Sequence, residues 1–250
     1  MVLSGPRTLN AQLPATWVAL ARAATELPAG TRVVVLRGAG GAFSSGLDRS
    51  TLGSLAELGR RPAAEVAEQV RDHQAAFTCW RRPGVLSVAA VSGPAVGAGL
   101  QLALACDVRL AAADARFRMA ETALGLVPDL AGTGPLVRAV GEQAALEMCL
   151  TGRTVGAEEA HRLGLVRVVV GVDELEQATD DLVGAVLSCP EAAVRETLDL
   201  LRGAGSRVEE DQHRLEREAQ ARLLRGLAAG VVSGAGPAAA AAEGAGTARR

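Results

Sequence analysis

The chain has 250 residues, 49% of them hydrophobic, which is enough for one large core with a small appended helical layer. Its 26 basic and 28 acidic residues are spread along the sequence, so we expect no nucleic-acid partner. All of the basic residues are arginine and tyrosine is missing, which excludes a Schiff-base lysine, a P-loop lysine and a tyrosine acid.

Cysteines, histidines and apolar runs limit the remaining classes. The four cysteines form no C-x-x-C pair, which indicates free thiols in a reducing compartment. The three histidines lack the spacing of metal ligands, so we expect no metal. No signal-like h-region opens the chain, and every apolar stretch is interrupted before about 18 residues. We therefore expect a soluble, cytoplasmic protein with no membrane partner.

Short strands and helices alternate in the first part of the chain, up to about residue 130. Arg32–Leu36 and Val85–Val91 are apolar runs that predict buried strands. Ala15–Glu26 and Ala63–Trp80 have the apolar spacing of helices. This alternation predicts an α/β fold with mostly parallel strand pairing.

The later part of the chain is mainly helical. One strand is predicted at Val166–Val170, and helices are predicted at Val172–Ser188, Pro190–Arg202 and Val208–Leu227. The last helix is highly charged, which is typical of a solvated or subunit-facing helix. From Ala228 onward the sequence is almost entirely small residues, which predicts a flexible tail.

Two segments share one design, in which a strand runs into a glycine-bearing turn and a helix follows. One leads from Val33–Gly38 to Phe43–Asp48, and the other leads from Val88 through Gly97-Ala98-Gly99 into a helix at Leu100–Cys106. Glycines allow such turns to aim peptide N–H groups into a cavity, and a helix N-terminus adds its positive dipole. Two convergent donors would form an oxyanion hole, worth about 3–4 kcal/mol per donor. Ordinary turn chemistry also explains either turn alone.

These turns belong to a longer series of motifs that covers roughly residues 6–170. The motifs are Phe43–Asp48, Ala90–Gly99, Leu104–Asp107, Phe117–Glu121, Leu124–Asp129, Leu150–Arg153 and Glu158–Val166. In this order they resemble the crotonase (enoyl-CoA hydratase/isomerase) family. The resemblance implies an α/β crotonase spiral of ββα units with a C-terminal helical region that mediates trimer formation. Residues 1–190 are then the spiral core, 191–228 the helical region and 229–250 the flexible tail, and Val2–Pro6 resembles the end of the family's N-terminal hairpin.

The resemblance also implies a substrate and a way of binding it. The substrate is an acyl-coenzyme A thioester of fatty acid metabolism, no further cofactor is needed, and the chain is a homotrimer or a dimer of trimers. The main-chain amides of Leu47 and Ala98 are the expected oxyanion-hole donors, while Arg7 and Arg49 are candidate contacts for the coenzyme A phosphates. Further substrate contacts are expected at Ser45, Gly46, Asp48, Gly97 and Gln101.

The carboxylates implied by the resemblance favour isomerisation over hydration. Hydratases of this family use two glutamates, and here the second is Glu121 while the first is replaced by Gln101, which cannot take a proton at neutral pH. Asp129 lies where dienoyl-CoA isomerases and chlorobenzoyl-CoA dehalogenases have a functional aspartate, although 2% aromatic residues disfavours dehalogenation. We expect an enoyl-CoA or dienoyl-CoA double-bond isomerase that uses Glu121 and Asp129. The alternatives are an enoyl-CoA hydratase, which is a lyase, using Glu121 alone with Gln101 holding the water, and a non-catalytic acyl-CoA binder.

Structural roles remain open for the same side chains. Glu121 fits a surface carboxylate after a strand, and Gln101 fits a satisfied core amide on an apolar helix. Asp48 and Asp129 each fit a helix cap, because aspartate is favoured at helix N-termini. The sequence alone does not decide between these roles and the catalytic ones.

Overall fold

The structure is a computed structural model in which residues 1–230 are described. Most of the predicted flexible tail, residues 231–250, lies outside the described residues. The chain divides into two units, and the predicted domain boundaries stay predictions. The first unit comprises residues 1–82 and 87–179, and the second comprises residues 83–86 together with those from 180 onward.

The strands form two sheets. The strands within residues 1–230 are β1 (Val2–Leu3), β2 (Val33–Gly38), β3 (Leu86–Val91), β4 (Pro94–Val96), β5 (Val108–Ala112), β6 (Arg116–Arg118), β7 (Val155–Gly156) and β8 (Val168–Val170). One sheet has the order β1-β2-β3-β5-β8 and the other has the order β4-β6-β7. The pairs β1 with β2, β3 with β5, β5 with β8 and β4 with β6 are parallel, as predicted, whereas β6 and β7 are antiparallel.

Helices occupy most of the connections. The α-helices of the described residues are α1 (Pro14–Thr25), α2 (Leu52–Leu58), α3 (Ala63–Thr78), α4 (Ala98–Ala105), α5 (Thr133–Thr151), α6 (Ala157–Arg162), α7 (Leu175–Ser188), α8 (Glu191–Ala204) and α9 (Glu209–Ala228). A short 3-10 turn at Arg49–Thr51 follows the first glycine-bearing segment, and another at Glu121–Leu124 follows β6.

The predicted ββα repeat is visible in the order of the elements. β3 lies in the five-stranded sheet, β4 follows it directly in the three-stranded sheet, and α4 comes next. β5 and β6 repeat the same change of sheet. The α/β spiral expected from the sequence is therefore confirmed.

The core of the first unit surrounds β3 and α4. Every residue of Leu86–Val91 is buried, which is the pattern of a parallel strand covered on both faces. Every residue of Ala98–Ala105 is buried as well, and a helix that is apolar nearly all round has to lie inside the protein. The second glycine turn is therefore held between a fully buried strand and a fully buried helix.

The predicted elements agree with the structure except near their ends. The helix predicted at Leu100–Cys106 begins earlier, at Ala98, because the turn residues themselves adopt helical geometry. The strand predicted at Val166–Val170 is shorter, and the short strands β6 and β7 were not predicted. Val2–Leu3, which resembles the end of a hairpin, pairs in parallel with β2.

Helices α8 and α9 belong to the second unit. Arg222 of α9 donates two hydrogen bonds, of 2.9 and 2.8 Å, to the carboxylate of Glu196 in α8, which joins the pair. The two helices confirm the segments predicted at Pro190–Arg202 and Val208–Leu227 to within two residues. None of the helices within residues 1–230 has the length and apolar character needed to cross a membrane.

Candidate active site

The two glycine turns lie directly against each other. The amide of Ser44 donates to the carbonyl of Pro94 at 2.9 Å, and the amide of Val96 donates back to the carbonyl of Ser44 at 3.0 Å. A Cβ at Gly99 would lie 2.5 Å from the carbonyl oxygen of Ser44, closer than real side chains approach. Glycine at this position therefore allows the approach of the two backbones.

Gly46 and Gly97 supply the unusual backbone angles of the turns. Their φ angles are 86° and 50°, in the region that side-chain-bearing residues rarely adopt. A Cβ at Gly46 would overlap the carbonyl oxygen of Val96 and lie 3.5 Å from the amide nitrogen of Ala98. The first turn thus packs against the amide that begins α4.

Leu47 and Ala98, the predicted oxyanion-hole residues, both line one cavity of about 530 Å³. The neighbouring amides are engaged, since Gly46 donates to Ser44 Oγ at 3.1 Å and Gly97 donates to the carbonyl of Arg118 at 2.8 Å. In the described part of the chain, the N–H groups of Leu47 and Ala98 have no hydrogen-bond acceptor. Unpaired amides are costly when buried, so a cavity lined by two of them suits an anionic oxygen.

The walls of the cavity are mainly apolar. The loop around Asp129 and the helices α2 and α3 supply most of this surface, and polar side chains enter it at few places. The apolar lining residues include Leu52, Leu55, Leu58, Val70, Leu124, Leu126, Val127 and Leu130. A cavity of this composition and size fits an apolar chain with one reacting polar group.

Glu121 is a buried carboxylate, not a surface one. It begins the 3-10 turn after β6, is 9% exposed and lines the cavity. Its Oε1 accepts a hydrogen bond from Gln101 Nε2 at 2.7 Å, whereas its Oε2 is buried without a partner among residues 1–230. A Cβ at Gly97 would lie 3.2 Å from Oε1, so the carboxylate stands over the second turn.

Burial controls the protonation of Glu121. Removal from water raises the pKa of this carboxyl, and the negative charge of Asp129 raises it further, while the hydrogen bond from Gln101 acts in the opposite direction. The net direction is upward. A carboxyl with a raised pKa keeps its proton to a higher pH than an ordinary surface glutamate does, which suits a group that transfers protons.

Asp129 lies at the same cavity and is half-buried. Burial raises its pKa, and the nearby His73 lowers it by a smaller amount. The interpretation of Asp129 as a helix cap is wrong, because the residue before α5 is Gly132 and no side-chain bond caps that helix. Gln74 Nε2 donates to the carbonyl oxygen of Asp129 at 2.7 Å and ties this loop to α3.

Known proteins of similar sequence belong to one family. The family model described as enoyl-CoA hydratase/isomerase matches residues 1–227. The chain belongs to the enoyl-CoA hydratase/isomerase family. A Thermus thermophilus protein provisionally named as an enoyl-CoA hydratase is 36% identical over 224 residues, which cover 88% of this chain and 86% of that protein.

Solved structures of the enoyl-CoA hydratase/isomerase family have the same fold. A Thermobifida fusca protein provisionally described as an enoyl-CoA hydratase, solved in complex with CoA, is 43% identical with a TM-score of 0.85 over 91% of this chain and 89% of that one. A second Thermobifida fusca structure of the same description, solved in complex with acetoacetyl-CoA, is 43% identical with a TM-score of 0.83 over 90% of each chain.

Gln101 stands at the position where the resemblance to family hydratases implies a glutamate. It is 1% exposed and is not among the residues that line the cavity. Its Oε1 accepts from the amides of Leu130 and Gly132 at 2.9 and 3.2 Å. Gln101 is thus a satisfied core amide, as one interpretation of the sequence had it, and it reaches the cavity through Glu121.

The remaining predicted contacts divide into two groups. Ser45, like the turn glycines, lines the cavity, and so does Arg49. Asp48 does not line it: its Oδ1 accepts from the amide of Ser50 at 2.9 Å, which caps the 3-10 turn and lowers the pKa of the Asp48 carboxyl. Arg7 lies on the exposed turn before α1 and is not a lining residue.

Two aromatic side chains of the cavity were missed in the sequence. His73 and Trp17 both line it, with ring centroids 4.7 Å apart, and burial lowers the pKa of His73. The signal was available, because His73 follows the lining residue Val70 and precedes the buried Phe77 at helical spacing in α3. No cluster of His, Cys, Asp or Glu suited to a metal occurs among residues 1–230.

Proposed function

We propose that the protein is an acyl-CoA double-bond isomerase that stabilises a thioester enolate and moves a proton along the acyl chain. The observation that carries the proposal is that Glu121 and Asp129, whose carboxyls both have raised pKa values, line the same cavity as Leu47 and Ala98, whose amides have no acceptor in the described chain. Family relatives solved with CoA and with acetoacetyl-CoA bound support this substrate class.

The thioester carbonyl oxygen would accept hydrogen bonds from the amides of Leu47 and Ala98. Negative charge grows on this oxygen when a proton leaves the carbon next to the carbonyl, and fixed N–H donors lower the energy of that state. Each donor lowers the barrier by about 3–4 kcal/mol, by analogy with other acyl-transfer sites. The proposal requires no cofactor besides the thioester itself.

Glu121 and Asp129 would divide the proton transfer between them. One ionised carboxylate removes a proton from the acyl chain, the electron pair moves through the conjugated system to the carbonyl oxygen, and a protonated carboxyl returns a proton at another carbon. Burial is the largest cause of the raised pKa of both carboxyls, and the charge of Asp129 adds a smaller upward contribution to the pKa of Glu121. Among the lining residues, these are the only carboxyl groups.

Hydration is the second candidate, and the hydratase names of the relatives favour it. Water addition needs a group that accepts a proton from the attacking water. The oxygen of Gln101 is already engaged by the amides of Leu130 and Gly132, so it has no free lone pair for a water molecule. Hydration would then depend on Glu121 alone.

A panel of acyl-CoA substrates tests the proposal. The purified protein is incubated with 2-enoyl, 3-enoyl and 3,5-dienoyl thioesters, and the products are followed by absorbance and by mass. Double-bond migration without a mass change supports isomerisation, whereas a gain of one water from a 2-enoyl thioester supports hydration. Tight binding of the thioesters without any turnover would contradict both enzyme functions and would support a non-catalytic acyl-CoA binder.

A further inference from the structure

Gln101 bridges three parts of the candidate site through one buried amide. It is the polar side chain of α4, whose other residues are Ala, Gly and Leu. Its oxygen accepts from the amides of Leu130 and Gly132, and its nitrogen donates to Glu121 Oε1 at 2.7 Å. One side chain therefore connects α4, the loop after Asp129 and the carboxylate of Glu121.

The orientation of this amide is fixed by its neighbours. Two backbone N–H groups need an acceptor, and only the oxygen end of a glutamine side chain supplies one. The nitrogen end must consequently face Glu121, where it can donate to a carboxylate. Gly132 leaves the room for this arrangement, because a Cβ there would lie 2.6 Å from Gln101 Cγ and 2.8 Å from its oxygen.

The two oxygens of Glu121 are not equivalent as a result. Oε1 accepts the bond from Gln101, while Oε2 is buried with no partner in the described chain. A proton placed on Oε2 leaves the Gln101 bond intact, whereas a proton on Oε1 would compete with it. The hydrogen bond from Gln101 therefore makes Oε2 the oxygen that can carry a proton without loss of that bond.

We propose that Gln101 is a positioning residue that holds the Glu121 carboxylate by Oε1 and thereby fixes its orientation and favours its ionised form. The inference rests on the proposed function, since it deepens the role of Glu121 there. The inference also explains why glutamine suits this position better than glutamate. A glutamate could accept from the amides of Leu130 and Gly132, but its second oxygen would lie about where the Gln101 nitrogen now donates to Glu121 Oε1 at 2.7 Å. Two carboxyls at that separation have to share a proton.

The variant Gln101→Met tests the bridge, because methionine has a similar length and cannot donate or accept in this way. Loss of the donor removes a stabilising bond to the ionised form of Glu121, so the pKa of that carboxyl rises and the acidic limb of the pH-rate profile moves upward. Loss of alignment lowers kcat by about 10²-fold, with a smaller effect on KM. The matched control is Leu102→Met, which changes a fully buried neighbour in α4 whose side chain has no polar atom.

Carboxyl ¹³C NMR gives a readout that does not need turnover. The Glu121 signal is identified by its loss in Glu121→Gln, and its titration is compared between the wild type, Gln101→Met and Leu102→Met. An upward shift in Gln101→Met alone supports the inference, and an unchanged titration would overturn it. If the wild type turns over no thioester, the proposed function fails, while this titration still decides the role of Gln101.

Gln101→Glu provides a second variant that keeps both backbone bonds and therefore the fold. We expect its carboxyl and that of Glu121 to titrate in two separated steps as a coupled pair. Wild-type kcat and a wild-type pH profile in this variant would show that the N–H donor is dispensable and would overturn the inference.

Discussion

Glu121 and Asp129 have ordinary side chains in an unusual setting. Each is withdrawn from water at the cavity, and burial is the largest cause of the raised pKa of both carboxyls. A raised pKa makes a carboxyl a stronger base when ionised and a usable acid when protonated. At the residue scale, the proposed chemistry depends on the depth at which these two groups lie.

Removal of the Glu121 carboxylate is the most direct test at this scale. Glu121→Gln keeps the size of the side chain and can still accept a bond from Gln101, so the fold should persist. We expect kcat to fall by about 10²-fold or more, because a positioned acid or base contributes this much. Steady-state kinetics with the best substrate of the panel measures the change, and an unaltered kcat would rule out Glu121 as the acid/base.

The pH dependence of the reaction follows from the same burial. The base has to be ionised, so kcat/KM should fall as the pH falls through the folded-state pKa of the base. Since that pKa is raised above the ordinary value of 4.5 for glutamate, activity should be lost at a higher pH than an exposed carboxylate would give. A pH-rate profile checks this limb, and Asp129→Asn shows whether the second carboxyl contributes to it.

At the element scale, the site depends on two backbones that touch where two glycine turns meet. The parallel bridge between Ser44 and Ala95 joins the turns, and α4 begins directly at the second turn. The fully buried β3 and α4 hold the second turn in place from both sides. Rigid supports of this kind keep main-chain donors in a fixed direction.

Gly46→Ala should damage both stability and activity. Alanine would have to adopt the positive φ of Gly46, and its Cβ would overlap the carbonyl of Val96. We expect this to lower the free energy of unfolding by about 2 kcal/mol and to separate the two turns. Chemical denaturation measures the first effect and kcat/KM the second. Gly184→Ala is the matched control, because a Cβ there meets nothing within 4 Å in α7 and alanine favours the helix. Equal stability of the two variants would contradict the proposed role of the turn.

At the scale of the whole molecule, the assembly state is a proposal carried by the family resemblance. We propose a homotrimer or a dimer of trimers, with the helices of the C-terminal region taking part. Helix α9 has exposed apolar side chains at Leu224 and Leu227, beside a largely charged sequence.

Sedimentation equilibrium tests this proposal. The expected mass is three or six times that of the single chain. The double variant Leu224→Ser and Leu227→Ser should weaken a trimer that uses this face of α9, whereas the control Val18→Ser changes a still more exposed apolar side chain on α1. A monomeric wild type would remove the proposal.

The sequence by itself determined the α/β class and most of the elements, and the resemblance of its motifs to the crotonase family implied the spiral. Runs such as Leu86–Val91 have to be buried wherever they lie, and the spacing of Ala63–Thr78 allows little besides a helix, so local patterns were sufficient there. The short strands β6 and β7 were not predicted from the sequence, because strands of two or three residues owe their conformation to the strands they pair with.

Tertiary structure alone decided how the polar side chains of the site are used. The sequence supplied Glu121, Asp129 and Gln101 as candidates, but not whether they were exposed, capped or paired. Gln101 bonds with groups 20, 29 and 31 residues away. Asp48, expected as a substrate contact or a cap, is a cap, whereas Asp129, expected as a catalytic group or a cap, is a cavity residue. Burial and hydrogen bonding between distant segments set these outcomes, because both depend on which surfaces meet after folding and not on the local order of residues.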